Sequence, residues 1–254
     1  MDTAVYLYAL VQSERRPSRA RLPAPLPETG PLRLVEAGDG LWLVVSDAPL
    51  ARYGEAAIEK GLKDLDWVSA CAVAHEGVVR HFARRLTTVP MRLFTLFRTD
   101  ERAQEHVRRS ARQLSRVLSR VDGCEEWGVR LFAAPSPTRP VRTGTTRPDS
   151  GRSFLERKRA QQHDTQESLR GASRAALSVI RDLARAARDD RKLDVPADAA
   201  AKSRLLVDAA FLVRRDARDR FRAALSKASS LGRTRGLRLD VTGPWPPYNF
   251  VDAK

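Results

Sequence analysis

Cysteine is scarce: Cys71 and Cys124 are the only two in 254 residues. Two thiols are too few for a disulfide framework or a Cys-based zinc site, and they fit a reducing compartment. Long apolar runs are missing as well. No stretch of 18 apolar residues occurs, so no membrane-spanning helix is expected. The opening Met1-Asp2-Thr3-Ala4 lacks the basic and apolar regions of a secretory leader, and a cytoplasmic protein is expected. The sequence also has no Walker A loop, no Gly-x-Gly-x-x-Gly after a strand and no Gly-x-Ser-x-Gly elbow. Hydrophobic residues make up 42%, enough for one large core or two small ones.

Lysine is the other scarcity. Only 7 of the 46 basic residues are lysines, against 31 acidic residues and a net charge of +15. Residues 1–134 carry 20 basic and 17 acidic side chains, whereas residues 135–254 carry 26 and 14. Such an asymmetry points to an acidic partner for the second half, with nucleic acid the obvious class. Solvated, arginine-rich helix faces are the preferred explanation, because nucleic-acid binders usually show a recognisable motif beside the charge. The arginine runs, such as Arg84-Arg85 and Arg214-Arg215, are not interleaved with the rings that a single-strand stacking platform needs.

Pattern predicts the elements. Val5–Val11 reads as a buried strand, and Leu32–Glu36 with Leu41–Ser46 flank Gly38-Asp39-Gly40 as a hairpin. Apolar spacing at Leu65, Val68, Ala72, His75, Val79, Phe82 and Leu86 predicts one helical stripe. Thr88–Phe97 returns to strand chemistry. A single helix is predicted from Asp100 to Val121, and Trp127–Ala133 reads as a strand. Four prolines, two glycines and several Ser and Thr residues between Ala134 and Ser153 predict a linker. Beyond it, Phe154–Arg188 is helical, Leu205–Val213 one strand or two short ones, Asp216–Leu231 a helix and Leu237–Val241 a strand. Gly243-Pro244-Trp245-Pro246-Pro247-Tyr248 is expected to end that strand, because proline removes the donors. The order suits an α+β chain of two domains, the second of ferredoxin-like type.

Chemistry-bearing residues are few. Cys71, His75, Glu76 and His81 cluster on the predicted helix, but a zincin needs histidines four residues apart and Val79 occupies that place. Cys71 and His75, at i and i+4, form at most half a metal site or a thiolate–imidazolium pair. The simpler reading is that His75, on the apolar stripe, is a packed and hydrogen-bonded core histidine. His106 and His163 sit among charged residues and read as exposed. Trp42, Trp67 and Trp127 take ordinary core placements, and Tyr6 and Tyr8 share one face of the first strand. No catalytic residues, metal ligands or cofactor-binding residues are assigned, and no small-molecule substrate is expected.

Seven ordered fragments and a terminal signature carry a family resemblance. They are Tyr6-Leu7-Tyr8-Ala9-Leu10-Val11, Val44-Val45-Ser46, Tyr53-Gly54-Glu55, Ala74-His75-Glu76, Val89-Pro90-Met91-Arg92-Leu93, Glu126-Trp127-Gly128-Val129 and Phe154-Leu155-Glu156-Arg157-Lys158-Arg159. The signature is Leu239-Asp240-Val241-Thr242-Gly243-Pro244-Trp245-Pro246-Pro247-Tyr248-Asn249-Phe250-Val251. In this order they resemble the GvpF/GvpL family of gas vesicle proteins along essentially the whole chain. One departure is Leu93-Phe94-Thr95, where the family often has a glycine near Phe94.

The resemblance implies a cytoplasmic, non-enzymatic accessory or minor structural protein of gas vesicle assembly with no cofactor. It implies two α+β domains, and binding to the hydrophobic shell protein GvpA and other accessory proteins. The alternative is a basic nucleic-acid-binding module. The domains are expected at 1–134 and 153–241, with a linker at 135–152 and a Pro/aromatic tail at 242–254. Tyr6, Tyr8, Leu93, Phe94 and Phe97 are expected to contact the shell protein, on strands read as open-edged. The tail is expected to dock back as a strap.

Overall fold

The computed structural model describes residues 2–18, 20–134, 151–194 and 204–251. Its architecture is the expected α+β. The chain divides into two compact units, 1–126 with 244–254, and 127–243.

The first unit is built on β1 (Thr3–Gln12), whose residues from Ala4 to Val11 are all buried. The hairpin β2 (Arg33–Gly38) and β3 (Leu41–Pro49) lies beside it. Gly38, Asp39 and Gly40 all take positive φ at the turn, as the Gly-Asp-Gly spacing predicts. β4 (Thr87–Pro90) and β5 (Leu96–Phe97) pair with the other side of β1, giving the order β2-β3-β1-β4 with β5 also on β1. β1 therefore has strands on both sides and offers no open edge, contrary to the sequence expectation. The apolar run that marks it as a strand is the run of a central strand, covered on both faces.

The β1–β3 register shifts between Leu7 and Ala9, so Tyr8 sits in a bulge. One extra residue reverses the alternation of faces. Tyr6 and Tyr8, then Ala9 and Val11, consequently enter the same core.

Helices α1 (Leu50–Tyr53), α2 (Glu55–Gly61) and α3 (Leu65–Ala83) follow the hairpin. Asp64 caps α3 by accepting from the backbone N–H groups of Asp66 and Trp67. The buried face is Trp67, Cys71, His75, Val78, Val79 and Phe82. The predicted stripe began on Leu65, which is 79% exposed. Trp67 buries more area than Leu65, and it turns the helix so that its own ring faces the core. The single helix expected over 100–121 is two, α4 (Asp100–Arg109) and α5 (Ala111–Val121), broken at Ser110.

The second unit strings together β6 (Cys124–Ala133), α6 (Gly151–Ala184), β7 (Asp189–Lys192), β8 (Leu205–Arg214), α7 (Arg218–Thr234) and β9 (Leu237–Trp245). That is β-α-β-β-α-β with sheet order β7-β8-β6-β9, a ferredoxin-like arrangement. Trp127, Val129, Leu131 and Ala133 of β6 pack with Phe211, Phe221 and Leu183 in its core. These four residues were expected in the first domain. They lie in the second because β6 supplies its first strand. Residues 135–150 of the expected linker lie outside the described residues, and 151 and 152 open α6. β9 also runs further than expected, through Gly243 and Pro244 to Trp245. It stands at the end of the order β7-β8-β6-β9, and an edge strand tolerates a proline without losing a ladder bond.

Candidate partner-binding site

The site lies in the first unit, where the chain turns between β4 and β5. Phe94 takes φ of +65° in this turn, the left-handed region that costs a bulky residue about 1–2 kcal/mol. A glycine there would adopt it freely. Here Phe94 is held by contacts. Its N–H donates to Tyr6 Oη at 3.2 Å, and its ring stacks on Trp67 with centroids 5.3 Å apart and planes 7° from parallel. Trp67 in turn lies against Gly61, where a Cβ would fall 2.4 Å from the indole. The Arg52 guanidinium sits 4.8 Å from the same ring. The indole N–H is buried with no hydrogen-bond partner among the described residues, so ring packing and the Arg52 contact position Trp67.

Beneath the turn is a buried polar network. Tyr6 Oη is 2.8 Å from His75 Nδ1, and His75 Nε2 is 3.1 Å from the Met91 carbonyl. A carbonyl only accepts, so Nε2 carries the proton and Nδ1 accepts from the Tyr6 hydroxyl. Tyr8 Oη pairs with Ser46 Oγ at 3.0 Å and accepts from Leu26 N at 2.9 Å. Tyr53 donates to the Pro27 carbonyl at 2.6 Å and lies 3.8 Å from Cys71 Sγ. Burial raises the pKa of Tyr6, Tyr8, Tyr53 and Cys71 and lowers that of His75 to about 4. All five stay neutral at physiological pH. Both imidazole nitrogens of His75 are used in hydrogen bonds, and the Cys71 thiol is the buried, unreactive kind.

Above this network is a groove of about 650 Å³. Leu50, Tyr53 and Ile58 of α1 and α2 form one apolar wall, and Phe94, Leu96 and Phe97 form the other. Asp2, Glu55, Glu59 and Arg98 stand at its polar margin, all exposed. Of the residues expected to contact a partner, Phe94 and Phe97 line this groove and are half-buried. Leu93 is half-buried against the core behind it. Tyr6 and Tyr8 are 0% exposed; the Tyr6 hydroxyl supports the turn from beneath, while that of Tyr8 is taken up by Ser46 and Leu26. Leu50, Glu55, Ile58 and Glu59 were not anticipated. Their only advance signal was the Tyr53-Gly54-Glu55 fragment.

The tail closes another side of the same unit. Tyr248 donates to Glu76 at 2.7 Å, and the Asn249 N–H and side-chain amide donate to the two oxygens of Glu126 at 2.8 and 2.6 Å. Phe250 is 0% exposed, and Arg80 lies 4.9 Å from the Trp245 ring. The tail is docked as a strap.

Residues 4–252 match the family described as gas vesicle synthesis protein GvpL/GvpF. The chain belongs to that family. Gas vesicle protein L of Streptomyces sp. (strain CB03234) is 29% identical, with 98% of this chain and 93% of that protein aligned. The crystal structure of GvpF from Anabaena sp. PCC7120 superposes with a TM-score of 0.68 at 15% identity, covering 99% of this chain and 97% of that one. GvpF from Microcystis aeruginosa gives 0.64 at 16%, covering 98% and 99%. At such identities the likeness is one of fold. GvpL/GvpF membership gives the chain a gas-vesicle-related role. No helix among the described residues is long and apolar enough to cross a membrane.

Proposed function

We propose that the chain is a non-enzymatic accessory protein of gas vesicle assembly, cytoplasmic and vesicle-associated, that binds the shell protein GvpA and other accessory proteins through its first unit. The observation that supports this most is the apolar groove walled by Phe94, Leu96 and Phe97, held open by a strained turn on a fully buried polar network. A wall-forming subunit with one apolar face aggregates unless it is held until it is placed. A rigid apolar groove is suited to hold such a subunit, and charges around it set the encounter rate. The positive second unit has less to recommend it as a nucleic-acid surface. Arg130 pairs with Asp208, Arg185 with Asp182 and Arg214 with Asp216, each at 2.9 Å or less.

The test is co-expression of the full chain with the shell protein, followed by affinity capture at low and high salt. Salt-resistant capture that Ile58→Ser weakens is the expected result. Capture that vanishes at high salt and is insensitive to Ile58→Ser would reject the groove.

A further inference from the structure

We propose that the groove selects a partner segment in which apolar side chains stand next to a lysine or arginine, and that Glu55 and Glu59 read the cation. The proposal rests on the reading of the groove as the partner-binding site and names the chemistry it accepts.

Charge is the first argument. In a chain of net +15, the described residues of this groove include three carboxylates, Asp2, Glu55 and Glu59, and one cationic side chain, Arg98. A local reversal of sign beside an apolar floor favours a basic occupant and repels an acidic one.

Pairing is the second. Five carboxylates elsewhere in the first unit are engaged by arginine: Asp47 and Asp100 by Arg33, Glu28 by Arg52, Glu76 by Arg80 and Glu105 by Arg102 and Arg109. Glu14, Glu36, Asp39 and Asp66 stand apart from the groove as single solvated charges. Glu55 and Glu59 have no ion pair or hydrogen bond among the described residues. They are four residues apart on α2, which puts them on one face of that helix, a turn apart. Glu55 also complements the positive end of α2, but Glu59 gains nothing there. Two like charges at this spacing oppose each other, so the pair is costly until a cation arrives. Arginine is abundant in this protein and is nonetheless kept from the pair.

The occupant that fits is therefore an apolar segment whose side chains meet Leu50, Ile58 and Phe97 while a flanking cation reaches α2. The probe is a set of overlapping peptides spanning the shell protein, bound to the full chain and measured by fluorescence anisotropy at two salt concentrations. Peptides with Lys or Arg beside apolar residues should bind best. Glu55→Gln with Glu59→Gln should weaken them roughly fivefold to tenfold at low salt and little at high salt. Both glutamates are exposed and repel each other, so the melting temperature should hold or rise slightly. Ile58→Ser should weaken binding at every salt concentration. If the double variant binds like the parent while Ile58→Ser does not, charge selection is wrong and the groove reading survives. If Ile58→Ser also binds like the parent, the groove reading itself fails. If light scattering shows a dimer that Ile58→Ser dissociates while peptide binding is unchanged, the occupant is a second copy and the proposal is overturned.

Discussion

Tyr6 and His75 are 69 residues apart in sequence, and their Oη and Nδ1 atoms are 2.8 Å apart in the fold. One hydroxyl thus joins three elements. It accepts from the Phe94 N–H of the strained turn, donates to the imidazole of α3, and belongs to the central strand β1. Since Nε2–H is committed to the Met91 carbonyl, the chain of donors runs in one direction only, from Phe94 through Tyr6 and His75 to Met91. A buried network that is fully satisfied fixes one arrangement, and loss of any member leaves another group unpaired.

Acid should break this chain. Burial lowers the His75 pKa from 6.5 to about 4. Between these values the unfolded chain takes up a proton that the folded one refuses, so stability falls as pH falls. The contribution is whole above pH 6.5 and is lost on the way down to pH 4, by at most about 3 kcal/mol. Urea unfolding of the parent and of His75→Gln at about pH 7 and about pH 4.5 checks this, with the smaller pH dependence expected in the variant. Equal slopes would mean that other groups carry the acid sensitivity.

Phe94 should reverse the usual order of alanine and glycine. Both substitutions lose the ring stacked on Trp67, but only alanine keeps a Cβ in the left-handed conformation. Phe94→Gly should therefore be more stable than Phe94→Ala by about 1 kcal/mol, although both are less stable than the parent. Chemical denaturation of the three proteins measures the difference. Tyr6→Phe, which leaves the Phe94 N–H and His75 Nδ1 without their shared partner, should cost about 1–3 kcal/mol.

The elements of this fold were legible where one physical signal dominated. The apolar run of β1 and the Gly-Asp-Gly turn each announced themselves, whereas the prolines misled: β9 runs on through Pro244, and β4 stops at Pro90 inside the stretch read as one strand. The second unit was legible as a type, yet β7 was not seen, because Asp-Asp-Arg-Lys carries no apolar alternation and reads as a loop. The face of α3 was misplaced because Leu65 and Trp67 compete for the core and periodicity cannot weigh their areas. The bulge at Tyr8 left no mark in the sequence either. As for the site, Phe94 and Phe97 were reached through their strand chemistry. Ile58, Glu55 and Glu59 lie some forty residues away in sequence, and only the turn at Phe94 brings the two walls of the groove together.

The strap should stabilise the first unit. Removing residues 244–254 exposes the pocket of the fully buried Phe250 and leaves Glu126 without both donors from Asn249. A loss of a few kcal/mol in a chain of this size lowers the melting temperature by roughly 5–10 °C. Asn249→Ala alone should produce a smaller drop, and Trp245→Ala, at a ring already 37% exposed, a smaller one still. Thermal denaturation followed by circular dichroism ranks them. A truncated chain that melts like the parent would show that the strap adds no stability.

The last expectation joins packing to function at Gly61. This glycine is helical and its φ is ordinary, so alanine there meets no backbone strain. What it meets is the Trp67 ring, 2.4 Å from the new Cβ and 2.6 Å at the next carbon. Neither atom is the loose end of a flexible side chain. The indole must shift, and among the described residues its buried N–H has no hydrogen bond to guide it back. Overpacking of this kind costs about 1–3 kcal/mol. The shift passes directly to Phe94, which is stacked on the same ring and forms one wall of the groove. Gly61→Ala should therefore change tryptophan fluorescence and weaken capture of the shell protein, although residue 61 does not line the groove. Pairing it with Phe94→Gly separates the two effects. If the ring stack is the route, Gly61→Ala should weaken capture much less in the Phe94→Gly background than in the parent. Equal losses in both backgrounds would place the effect of Gly61 elsewhere in the core.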